Sequence, residues 1–113
     1  MKSDRSFVDY IVEQAQDAGR VLARAMFGGY TLYCDGKPVG LICDDQLFIK
    51  PTDAGEQFVG PHVEKAPPYQ GARPCFLIEE NIDDREWITD LVTLTCKALP
   101  ERKPKGRKRR VDR

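Results

Sequence analysis

Tyr30-Thr31-Leu32-Tyr33-Cys34, then Asp35-Gly36, then Pro38-Val39-Gly40-Leu41-Ile42-Cys43, then Asp44-Asp45-Gln46 and Leu47-Phe48-Ile49-Lys50 decide the fold. The first run is rich in β-formers. Asp35-Gly36 is a strong hairpin signal, because both central residues of a type I′ turn need positive φ. Pro38 suits the start of a return strand. The aspartates at 44 and 45 make a second turn into a fourth apolar run. Residues 30–50 therefore read as a β-meander. With a two-residue loop at Asp35-Gly36, Cys34 is expected opposite Lys37 and Leu32 opposite Val39.

Working outward, Phe7, Tyr10/Ile11, Ala15 and Ala18 recur at helical spacing, with Ser3, Asp4 and Ser6 as N-cap choices and Gly19 as the stop. Residues 21–27 read as a further strand leading into Gly28-Gly29. After Pro51 a short helix is expected from Thr52, turning Phe58 and Val59 inward and ending at Gly60. Residues 61–74 hold four prolines and a glycine and read as loop. Pro74-Cys75-Phe76-Leu77-Ile78-Glu79 reads as strand. Asp83, three residues before Glu86, offers a capping arrangement for a last helix. That helix carries Trp87/Ile88, Leu91/Val92, Leu94/Thr95 and Ala98/Leu99, and Pro100 ends it. The fold class is α+β: a mostly antiparallel meander packed by the N-terminal and C-terminal helices.

At 113 residues and 41% hydrophobic, the chain has the size and core of one domain. No apolar stretch nears the ~20 residues of a membrane helix, and the polar start carries no signal-peptide core. The expectation is a cytoplasmic protein with no membrane contact. The zero net charge conceals a segregation. Residues 101–113 hold eight Lys/Arg and two acids, a net of +6; of the chain's 18 and 18 that leaves ten and sixteen, a net of −6, for residues 1–100. The division is thus a folded unit over 1–100 and a disordered basic tail over 101–113. Arg102, Lys103, Lys105, Arg107, Lys108, Arg109 and Arg110 give the tail a phosphate-binding character that weakens with salt. A solubilising tail, or one docked on the acidic body, explains the same residues. The acidic body itself argues against a nucleic-acid face there.

The remaining residues point to no chemistry. Cys34, Cys43, Cys75 and Cys96 contain no C-x-x-C pair and lie far in sequence from His62, so a zinc site would need a scattered set; buried reduced thiols are expected. No disulfide joins Cys34 and Cys43, which lie far apart along the ladder. Gly28-Gly29 lacks the phosphate-loop pattern and reads as a bulge or a tight backbone approach at a strand entrance. Asp35 and Asp44 flank one strand, roughly 20 Å apart at ~3.3 Å per residue, too far to share a bond. Glu79, Glu80, Asp83 and Asp84 suit the start of a helix, with a divalent cation the other reading. His62 reads as a surface histidine, and Tyr30, Tyr33 and Tyr69 as a binding surface or the rim of a sheet. No residue is expected to be catalytic, and no metal or cofactor is expected.

The segment Met26-Phe27-Gly28-Gly29-Tyr30-Thr31-Leu32-Tyr33-Cys34-Asp35-Gly36, with the Asp-Asp turn and the strand ending in Lys50, resembles the N-terminal domain of TfoX, a family named for a bacterial regulator of competence genes. Ala66-Pro67-Pro68-Tyr69 and Ile82-Asp83-Asp84-Arg85-Glu86 continue the resemblance, which spans roughly residues 8–99. Thr31 stands where the family often has glycine, and Val39-Gly40 replaces a common aromatic-Ala pair. Longer members carry a second, C-terminal domain, in whose place this chain has its basic tail. The resemblance implies a non-enzymatic regulatory or protein-interaction module with an unidentified protein partner. The alternative from the residues is a nucleic-acid-binding accessory protein acting through the tail; a small enzyme or metal protein using His62 and scattered acids is the third reading.

Overall fold

The computed structural model describes residues 4–26 and 28–100. Helix α1 (Arg5–Gln14) is followed by strands β1 (Val21–Met26), β2 (Gly29–Cys34), β3 (Lys37–Cys43) and β4 (Gln46–Ile49). Helix α2 (Asp53–Val59), strands β5 (Glu64–Ala66) and β6 (Cys75–Ile78) and helix α3 (Arg85–Ala98) complete the order. The strands form one antiparallel sheet in the order β1-β2-β3-β4-β6-β5. The α+β meander is as expected.

One face of the sheet is covered by the helices. Leu32 and Cys34 of β2, Val39 and Ile42 of β3, Leu47 and Ile49 of β4, and Phe76 and Ile78 of β6 meet Val8 and Ile11 of α1 and Ile88, Leu91 and Val92 of α3. All are almost fully buried, each such side chain contributing about 1.5–3 kcal/mol on leaving water. The opposite face carries a smaller cluster of Cys43, Phe48, Cys75 and Leu77, with Leu41 and Ala66 beside it.

Several local expectations need correction. The first helix ends at Gln14, and a single 3₁₀ turn (Gln16–Ala18) carries the chain to Gly19. Asp4 is the N-cap, accepting from the Ser6 amide. Gln14 Nε2 donates to the Ile82 carbonyl at 2.9 Å and Thr89 Oγ1 donates to the Gln14 carbonyl at 3.1 Å, tying the helix end to α3. Residues 61–74 are not all loop, since β5 pairs with β6. At three residues between prolines, β5 has no detectable period of its own. The cap of α3 is Asp84, which accepts from the Trp87 amide; Asp83 instead accepts from the Tyr10 hydroxyl.

The register of β2 and β3 differs in one consequential way. Cys34 faces Lys37 as expected, but Leu32 faces Gly40, because Val39 is an extra residue bulged out of the ladder. A bulge inverts the alternation of the strand beyond it. Lys37 shares the helix-covered face with its partner Cys34, Pro38 turns to the other, and the extra residue Val39 turns to the helices as well. Lys37 Nζ then donates to the Cys96 carbonyl at 3.0 Å and the Leu99 carbonyl at 3.2 Å, at the C-terminus of α3. Pro100 has no amide for the Cys96 carbonyl, so the ammonium takes that place, where the helix dipole favours a cation.

Close backbone approach explains two glycines. A Cβ on Gly29 would lie 2.4 Å from the Ile42 carbonyl oxygen, and one on Gly40 2.4 Å from that of Phe48. The expected reading of Gly29 as a tight approach therefore holds.

Candidate functional site

The turn aspartates are committed to the fold. Asp35 (φ 53) with Gly36 (φ 82), and Asp44 (φ 54) with Asp45 (φ 57), occupy positive φ at opposite ends of β3. Asp35 Oδ1 accepts from the Arg20 amide at 2.9 Å, and Asp45 Oδ1 from the Asp4 amide at 2.6 Å. Aspartate tolerates this backbone and also bonds neighbouring amides. The pair does not converge on one site, in line with the spacing.

His62, exposed between α2 and β5, does gain neighbours that the sequence separates. It borders a pocket of about 220 Å³ with Val59, Glu64, Glu79, Glu80, Asn81 and Trp87. Trp87 also packs against Phe58, with ring centroids 5.3 Å apart and the rings tilted by 39°. Glu79 accepts from Gln46 Nε2 at 3.4 Å. Carboxylates at the rim and an indole on the wall suit a cationic group carrying an apolar body. These lining residues are absent from the groups whose ligand atoms converge tightly enough for a metal ion.

Such convergence occurs elsewhere. Among the described residues, Cys34 of β2, Asp35 of the β2–β3 turn and Cys96 of α3 bring two sulfurs and a carboxylate oxygen within 4.8 Å of one another. All four cysteines are free thiols. Cys34 is fully buried and Cys96 nearly so, while Asp35 is exposed. Cys96 Sγ lies 3.3 Å from the Cys34 carbonyl oxygen and Cys34 Sγ 3.8 Å from that of Ala18. Burial pushes the Cys34 thiol up to about 12, with Cys96 and Asp35 adding to the rise and the Lys37 ammonium opposing it. Burial likewise raises Cys43 and Cys75. Isolated, these thiols are inert as nucleophiles. Sequence inspection missed Cys96 as a partner of Cys34 because 62 residues separate them; the adjacency of Cys34 and Asp35 was the only local signal.

The helix-free face has a second feature. Leu22 of β1, exposed at 41%, stands across from Tyr33 of β2, which stands across from Pro38 of β3. Tyr30 packs against the helix-side core instead, and Tyr69 is exposed. Strand β1 is one of the two edge strands of the sheet, β5 the other. The basic residues Arg102, Lys103, Lys105, Arg107, Lys108, Arg109 and Arg110 lie outside the described residues. No helix among the described residues is long and apolar enough to cross a membrane.

A six-stranded antiparallel sheet with three helices on one face and a bulged, glycine-tight meander at its centre defines a small α+β domain. The chain belongs to the TfoX N-terminal domain family, whose profile matches residues 13–99. It is also 38% identical over 108 residues to the "Uncharacterized 12.7 kDa protein in trpE 5'region" of Spirochaeta aurantia, an overlap covering 96% of this chain and 93% of that one.

Proposed function

We propose that the domain is a non-enzymatic regulatory module that binds a protein partner along the β1 end of its sheet. Leu22 carries this reading: a large apolar side chain left 41% exposed on a six-residue edge strand. Among the described residues no strand pairs with the outer side of β1, and such an edge offers a row of amides and carbonyls to an added strand, with side chains such as Leu22 and Tyr33 supplying specificity. The commitment of Asp35, Asp45 and Asp84 to backbone amides supports the non-enzymatic part.

The test places a photo-crosslinking residue at position 22 of the full chain in cells of its source. A discrete cross-linked protein, lost on converting neighbouring Tyr33 to Asp in a variant that keeps its melting curve, is the expected result. Cross-links that Tyr33→Asp leaves unchanged refute the reading.

A second reading is supported by the segregation of charge, net +6 over 101–113 against −6 over the rest: nonspecific nucleic-acid binding through the tail. Titrating DNA and RNA at rising salt, with the full chain and one ending at Leu99, decides it. Affinity that falls steeply with salt and vanishes with the tail is expected; equal behaviour of both chains refutes it.

A further inference from the structure

We infer that Cys34, Asp35 and Cys96 form a binding site for one thiophilic divalent ion of the zinc class, which pins the end of α3 to the β2–β3 hairpin. The three ligand atoms already lie within 4.8 Å of one another. A tetrahedral zinc with bonds of about 2.3 Å holds two sulfurs about 3.8 Å apart. Closing the sulfur pair by about 1 Å at most, a side-chain adjustment, completes the geometry. Two thiolates and a carboxylate leave the fourth position for water.

The surroundings fit such an ion. Asp35 is positioned from behind: the Arg20 amide donates to Oδ1 at 2.9 Å, and the Asp35 amide donates back to the Arg20 carbonyl at 2.9 Å. Gly19 leaves space for that carboxylate, since a Cβ there would sit 2.9 Å from Asp35 Oδ2. Outer contacts of this kind orient a metal ligand. Two thiolates, one carboxylate and a divalent ion sum to −1, and the Lys37 ammonium, which acts electrostatically on Cys34, balances it. Binding replaces two thiol protons, released to solvent, with one cation. The exposed Asp35 provides the approach to the two buried sulfurs. Cys43 and Cys75, on the opposite face of the sheet, have no such grouping among the described residues.

Cadmium is the probe, because its thiolate complexes absorb in the ultraviolet by charge transfer. The full chain, freed of metal and kept reduced, is titrated with cadmium and then with zinc in competition. One ion per chain is expected, displaced by zinc, with the band unchanged in Cys43→Ala/Cys75→Ala and abolished in Cys96→Val. Asp35→Asn keeps the turn, since asparagine tolerates positive φ, and is expected to weaken binding at least tenfold while the band remains. Absence of a band, persistence of the full band in Cys96→Val, or its loss in Cys43→Ala/Cys75→Ala overturns the inference. Should Cys96→Val fail to fold, Asp35→Asn decides: unchanged affinity there overturns it.

Discussion

Replacing Lys37 by methionine removes the ammonium from the C-terminus of α3 while keeping most of the side-chain stem. The two bonds lost, to the Cys96 and Leu99 carbonyls, are charge-assisted. Bonds to charged groups are worth about 1.5–3 kcal/mol when well shielded, and a cation at a helix end adds about 0.3–1 kcal/mol. Lys37 is half-buried rather than enclosed, so water takes over part of the role. A loss of about 1–2 kcal/mol is expected, or about 4–8 °C in Tm for each kcal/mol in a domain of this size. Urea unfolding monitored by Trp87 fluorescence measures it. Lys50→Met, on the opposite face, serves as control and is expected within about 0.5 kcal/mol of the parent. Raising salt is expected to shrink the difference between Lys37→Met and the parent. If Lys37→Met is as stable as Lys50→Met, the ammonium of Lys37 is not a stabilising cation at the end of α3.

The other predictions concern separate parts of the fold. Gly40→Ala places a methyl where the Phe48 carbonyl oxygen would be 2.4 Å away; a loss of about 3 kcal/mol is expected, at the upper end for overpacking, read from thermal melting. Asp84→Ala removes the cap of α3 and is expected to cost about 1 kcal/mol, with Asp83→Ala costing less in the same assay. Tyr10 is expected to ionise above the ordinary tyrosine range, because its hydroxyl donates to Asp83 and the carboxylate opposes a phenolate. Its raised value means that the contact stabilises the fold at neutral pH and fades as pH climbs through the tyrosine range. Ultraviolet titration of Asp83→Asn is expected to bring Tyr10 down, and an unchanged titration refutes the assignment.

Much of the fold is written locally. The meander over residues 30–50 follows from β-formers broken by Asp35-Gly36 and Asp44-Asp45, since positive φ and alternation are properties of neighbouring residues. The stripe of α3 and its stop at Pro100 are local for the same reason. The strand β5 was illegible because three residues show no period, and Asp84 displaced Asp83 as cap because adjacent aspartates are equivalent until the Tyr10 hydroxyl selects one.

Local sequence is enough for the class of domain, the places where the chain turns and the family to which the chain belongs. Tertiary structure alone decided which groups meet. Pairing with Cys34 sets Lys37 on the helix-covered face, but only the packing of α3 across the sheet brings its ammonium beneath a helix end. Packing α3 across β2 places Cys96 against Cys34, although 62 residues separate them. His62 reaches the rim shared with Glu79, Glu80 and Trp87 through the pairing of β5 with β6. Such encounters depend on register and on the path of the chain between elements, neither of which leaves a local mark.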